Sequence, residues 1–238
     1  MRGALQGNGG TVGTDDARIR AAVEATVDAG TVRFEMELET EPADVNRSRS
    51  HGVCDFTQRR AECRTVTDVP ANVPDTVQIT DGGVVYTQES GGHWHALDMG
   101  GWAAASLMSD LGWFYGVVEA RELAPSEHAV TTSARHAVDA CPAPLRDELR
   151  TAFEQSGHLD AIATGWVRTD ASNRITGCRL SIPPGGAGLF GPVDLTCRIA
   201  LDLSRFGEPA AIRVPDAGPA QPVREGIAQH FGRVDGPQ

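Results

Sequence analysis

Hydrophobic and polar residues alternate most regularly in two stretches. Val32, Phe34, Met36 and Leu38 are interleaved with Arg33, Glu35, Glu37 and Glu39. Far along the chain, Val193, Leu195, Cys197, Ile199, Leu201 and Leu203 are interleaved with Asp194, Thr196, Arg198 and Asp202. A period of two marks a strand with one face in a core and the other in water. Residues 14–29 have helical spacing instead. Thr14 or Asp15 serves as the cap, Gly30 as the stop, and Ile19, Ala22, Val23 and Val27 line one face interrupted only by Thr26. Residues 142–156 predict a second helix, with Pro142 in its first turn and Leu145, Leu149 and Phe153 four apart.

The remaining punctuation predicts a strand-rich chain. A polar loop at 41–50 precedes two strands about a turn at 57–60. Strands at 76–80 and 84–88 flank Asp81-Gly82-Gly83, and a turn at 89–92 leads into a short strand at 93–97. Residues 129–140 read as a strand, and 161–169 and 174–182 as two more. After 193–203 a turn at 206–209 leads to a short last strand at 211–215, ended by Pro215. Residues 102–111 and 113–120 are apolar without alternation, which predicts short helices or a lid joined at Gly112. Residues 14–216 therefore read as one domain, between a Gly-rich leader (1–13) and a Pro/Gly-rich tail (217–238) with a weak helix at 223–231.

Composition narrows the chemistry. The 238 residues carry a net charge of −11, which disfavours nucleic acid and anionic membranes as partners. All 21 basic residues are arginine. Schiff-base catalysis, a pyridoxal-phosphate anchor and a P-loop lysine are thereby excluded. No window of about 20 apolar residues exists to cross a bilayer. Residues 1–13 have no signal-peptide core, so the chain is expected to be cytoplasmic if Met1 is its native start and extracytoplasmic if it is a trimmed form.

Five cysteines stand at suggestive positions. Cys54 and Cys63 are symmetric about the 57–60 turn, and Cys178 and Cys197 about the loop between Pro183 and Pro192. Hairpins closed in those registers set each pair directly opposite, within disulfide reach, or as buried thiols packing like small hydrophobes. Cys141 is left over, more simply structural than a nucleophile. His93 and His95 share a strand face but have no third ligand at diagnostic spacing, so no metal is expected. Gly186–Gly191 matches GxGxxG between two strands, which is the wrong context for a dinucleotide, and no cofactor is expected. Trp102, Leu107, Met108, Leu111, Trp113, Phe114 and Tyr115 form the densest apolar stretch, either a core plug or a lid over an apolar cavity.

In order and spacing, several segments resemble actinobacterial LppX/LprG-type lipoproteins, relatives in fold of the LolA/LolB carriers. They are Ala29-Gly-Thr-Val-Arg-Phe34, Gly52-Val-Cys-Asp-Phe-Thr-Gln-Arg-Arg-Ala61, Val84-Val-Tyr-Thr-Gln-Glu-Ser-Gly-Gly-His-Trp94, Trp166-Val-Arg-Thr-Asp170 and Leu201-Asp-Leu-Ser-Arg-Phe-Gly-Glu-Pro209. The resemblance implies an α+β fold, a single curved antiparallel sheet forming a half-barrel with helices closing its concave face. It also implies a cavity that holds acyl chains, faced by Val32, Phe34, Met36, Leu38 and the 102–115 segment, with no catalytic residues to carry over. The chain lacks the signal peptide and lipid-modified cysteine of that family, and its paired cysteines are foreign to the pattern. The expected function is binding or carriage of a lipid or hydrophobic small molecule by a monomer. The alternative is a cytoplasmic cyclase or isomerase that holds one folded conformer of a hydrophobic intermediate in the same cavity.

Overall fold

The computed structural model describes residues 14–43, 45–70, 73–89, 92–188, 191–192 and 194–223. Helix α1 (Thr14–Asp28) leads into six strands: β1 (Thr31–Glu41), β2 (Arg47–Asp55), β3 (Arg60–Val69), β4 (Thr76–Asp81), β5 (Val84–Glu89) and β6 (His95–Asp98). Short helices α2 (Trp102–Ala105) and α3 (Met108–Leu111) run into a 3-10 turn, Gly112–Gly116. Strands β7 (Val117–Ala124) and β8 (Glu127–Ser133) follow, then α4 (Ala134–Ala140) and α5 (Arg146–Gln155). The chain finishes with β9 (Ile162–Thr169), β10 (Ile175–Ile182), the two-residue pair β11 (Ala187–Gly188) and β12 (Gly191–Pro192), then β13 (Thr196–Ser204) and β14 (Gln221–Pro222).

Twelve strands form one open sheet in the order β14-β6-β5-β4-β3-β2-β1-β13-β10-β9-β8-β7. The two regular alternations are its centre: β1 pairs antiparallel with β13, Phe34 facing Leu203 and Met36 facing Leu201. Val193, expected to open the second alternation, lies outside the described residues, and β13 begins at Thr196. The sheet is mixed and not purely antiparallel, because β14 joins β6 in parallel, Gln221 beside Leu97. The strand expected at 211–215 does not form. Pro209 and Pro215 bound it and have no N–H to give a ladder. The weak helix at 223–231 lies outside the described residues apart from Val223, and the leader (1–13) lies wholly outside them.

Local chemistry explains three further departures. Residues 129–140 divide into β8 and α4 because the Ser133 side chain accepts the His136 N–H as an N-cap. Buried Ala134, Ala137 and Val138 then follow with helical spacing. Residues 117–120, expected to belong to an apolar helix or lid, instead open β7. The loop expected at 41–50 gives way to β2 from Arg47, where exposed Arg47, Arg49 and His51 alternate with half-buried Ser48 and buried Ser50. Thr26, the break in the apolar face of α1, is buried and serves two bonds. Its hydroxyl donates to the Ala22 carbonyl at 2.7 Å and accepts the Ile175 N–H at 2.8 Å, tying α1 to the start of β10.

Both expected cysteine pairs are corrected by strand register. Cys54 faces Ala61, and Cys63 faces Gly52. The hairpin closes two residues earlier than symmetry about 57–60 requires, with Asp55 facing Arg60 and the Asp55 carboxylate accepting the Gln58 N–H at 2.8 Å. Cys178 faces Leu201, and Cys197 faces Ile182. Both slips are even, so each cysteine keeps its face while losing its partner. All five are free thiols.

Two glycines let strands approach closely. A Cβ on Gly52 would sit 2.1 Å from the Glu62 carbonyl oxygen, and one on Gly165 would sit 1.8 Å from that of Arg179. Only a residue without a side chain fits either point.

Candidate ligand compartment

The candidate site is the inward face of the sheet, on which the helices pack. Register defines its floor as rows of side chains running across the strands. One row passes from Val167 through Cys178, Leu201, Met36, Ser50 and Thr65 to Thr76. A parallel row passes from Leu203 through Phe34, Gly52 and Cys63 to Gln78. A third runs from Leu180 through Ile199 and Leu38 to Ser48 and Thr67. Each row changes character at the same seam. On β10, β13 and β1 it is aliphatic or thiol, and on β2, β3 and β4 it is mostly hydroxyl or amide. Alternation alone could not reveal this, because β2 and β3 are polar on both faces. The usable signal was the kind of polarity: Arg47, Arg49, His51, Glu62 and Arg64 point outward, whereas Ser48, Ser50, Thr65 and Thr67 point inward.

Helices cover the two sides of this floor unequally. Among the described residues α2 and α4 pack mainly on the other helical segments; where the helices meet the sheet, α1 and α4 do so chiefly at β7, β8 and β10, and α2 at β4 and β5. The central strands β3, β2, β1 and β13 lie between them. Burial follows the same division. Val32 and Phe34 are sealed, at 0% and 7% exposure, while Met36 and Leu38, farther along the same stripe, are half-buried. Ser48, Cys63, Thr65, Thr67, Thr76 and Gln78 are also half-buried.

The 102–115 segment packs into the core above the sheet. Trp102, Leu107, Met108, Leu111, Trp113, Phe114 and Tyr115 are all buried in the main core. Trp113 stacks on Phe153 of α5 at 4.8 Å between ring centres, and the Thr132 hydroxyl donates to the Trp113 carbonyl. A Cβ on Gly112 would lie 2.4 Å from a Leu149 methyl, so the glycine lets this turn rest directly on α5. Trp102 meets Phe56 edge-on at 6.0 Å. Over it lies the Arg59 guanidinium, 5.4 Å from the ring centre, which donates to both carboxylate oxygens of Glu148 on α5. Glu148 also accepts the Ala103 N–H at 3.3 Å. The β2–β3 turn, α2 and α5 are thus clamped together at one residue.

On and beside α3, Ser106, Ser109 and Asp110 are half-buried, while Leu107, Met108 and Leu111 among them are sealed. Burial pushes the Asp110 carboxyl up to about 7, opposed by a hydrogen bond from Ser109. Its charge is felt by Cys178 on the floor, which places it over β10. Burial also pushes all five thiols up, Cys63 to about 11, so none is a thiolate nucleophile near neutrality.

The opposite face of the sheet carries a groove of about 880 Å³ that is open to solvent. Its lining is charged, including Glu37, Glu39, Arg49, Arg179 and Arg198 beside Trp166. Several of these charges are already paired. Arg49 meets Asp68 at 3.0 Å and Arg198 meets Glu41 at 2.8 Å.

No protein-family model and no curated protein sequence matches the chain. Among solved structures it is similar to LprF from Mycobacterium bovis, with 15% identity and a TM-score of 0.45 over 88% of this chain and 100% of that one. It is also similar to Mycobacterium tuberculosis lipoprotein LppX, with 11% identity and a TM-score of 0.48 over 83% of this chain and 100% of that one. LppX is of the lipoprotein type that the segments quoted from the sequence resemble.

Proposed function

We propose that this chain binds a lipid or another hydrophobic small molecule between its sheet and its helices, by enclosure and without covalent chemistry. The observation that carries the proposal is the uneven sealing of the β1 stripe. Val32 and Phe34 are closed off, yet Met36 and Leu38 keep accessible surface on the inward face of central strands. Apolar surface left facing inward is surface a hydrophobic ligand would remove from water, at about 25 cal/mol per Å². In this reading the sheet is a half-barrel, the helices close its concave side, and the buried 102–115 segment is the wall against which the ligand rests. The chain would act as a monomeric, extracytoplasmic carrier.

Native mass spectrometry after gentle purification tests it, with organic extraction to identify what is released. The expected result is a co-purifying species of lipid mass that is lost after extraction. Protein that is ligand-free and fails to take up any apolar probe overturns the proposal.

A further inference from the structure

The inward face is divided by kind as well as by burial. We infer that the ligand is an amphiphile with an uncharged, hydroxylated head group, held inside by the Ser/Thr rows of β2, β3 and β4, while its apolar part lies over β1 and β13. This inference rests on the compartment proposed above and specifies what it selects.

Strands facing bulk water on both sides have no reason to sort hydroxyls from charges. Here they are sorted. The outward positions of β2 and β3 include Arg47, Arg49, Arg60, Glu62 and Arg64, whereas none of the described inward positions of β2, β3 or β4 carries a charge. A charged head group would find no counter-ion on this part of the floor, and its desolvation would go uncompensated. A hydrocarbon alone would leave the hydroxyls facing apolar surface without partners. A neutral polyol meets neither penalty.

One detail supplies bonding capacity. The hydroxyls of Ser50 and Thr65 lie 2.8 Å apart, so one hydrogen joins them and the other remains to be donated elsewhere.

The test uses the full chain and a neutral apolar fluorophore, N-phenyl-1-naphthylamine, displaced by three ligands with the same acyl chain. Monoolein is neutral and hydroxylated, methyl oleate is neutral without hydroxyls, and oleate is charged. Monoolein is expected to displace the fluorophore at concentrations about tenfold below the other two, a difference of about 1.4 kcal/mol. The paired change Ser50→Ala with Thr65→Val should cut that preference about fivefold while fluorophore affinity holds. Ser48→Ala with Thr67→Val, at half-buried positions, serves as a second pair should the first not fold. Equal displacement by methyl oleate, stronger displacement by oleate, or a preference untouched by the folded variants overturns the inference. Failure of the fluorophore itself to bind overturns the compartment with it.

Discussion

Asp110 is half-buried on α3, and burial moves the titration of its carboxyl from 3.8 to about 7. Between those values the folded chain holds a proton that the unfolded chain has released. Folding is therefore favoured by acid across this window, and the contribution of this group declines as pH rises to about 7. Asp110→Asn keeps the shape and removes the titration. The variant should match the parent near pH 4 and exceed it by about 2 kcal/mol at pH 8, or about 5 °C in Tm, as followed by thermal melts across that range. A gap that does not widen with pH contradicts the assignment. At this scale the sequence was legible where a residue's role follows from its own type and spacing. Ile19, Val23 and Leu201 were read on apolar faces and lie in the core. Thr26 was read as an interruption, because the Ile175 amide that it accepts lies 149 residues away. The cysteine pairs were misplaced for a related reason: parity selects the face, while turn geometry selects the partner.

At the scale of elements, the strands around tight turns were the most legible, and the stretches lacking alternation the least. Apolar runs such as 102–116 look the same whether they become helix, turn or lid. What decides among them is the surface they meet, here α5 and the floor beneath it. The Arg59–Glu148 pair shows how the start of that segment is held. Arg59 takes a positive φ of 56° in the β2–β3 turn, and its side chain lies over Trp102 to reach α5. With Arg59 at 46% exposure and Glu148 at 21%, solvent screens much of the attraction. Glu148→Gln, which keeps an acceptor for the Ala103 N–H, should therefore cost only about 1 kcal/mol. Its clearer effect should be faster hydrogen exchange at the α2 amides. Unchanged exchange there would mean that the helix is held by packing of Trp102 on Phe56 alone.

At the scale of the molecule, the α+β class was legible through the resemblance and the hairpin of residues 174–182 with the 193–203 alternation through the sequence, and β13 indeed pairs with β10. The division of the inward face was not, because it exists only once six strands are laid side by side. Nor was the last strand, since two residues ending in proline carry no periodicity.

That short strand bears on what the open sheet leaves at its edge. An open sheet ends in two rows of unpaired backbone groups, each a template on which another chain can build. One end is β7, whose ladder to β8 is broken between Val117 and Glu119 and again between Glu122 and Ala124, with Glu119, Arg121 and Glu122 exposed along it. Irregular and charged, it makes a poor template. The other end, β6, has an unbroken ladder to β5 and no comparable defect. There β14 takes up the outer groups, and Pro222 withholds the next donor. A chain ending at Ala220 should bare β6 and pair edge to edge with a second copy, seen as dimer that grows with concentration in size-exclusion chromatography with light scattering. A truncated chain with no more dimer than the full one would show that β6 is blunted by other means. The C-terminal strand is, in this sense, a guard against self-assembly, contributed by a stretch of chain that adds almost nothing to the core.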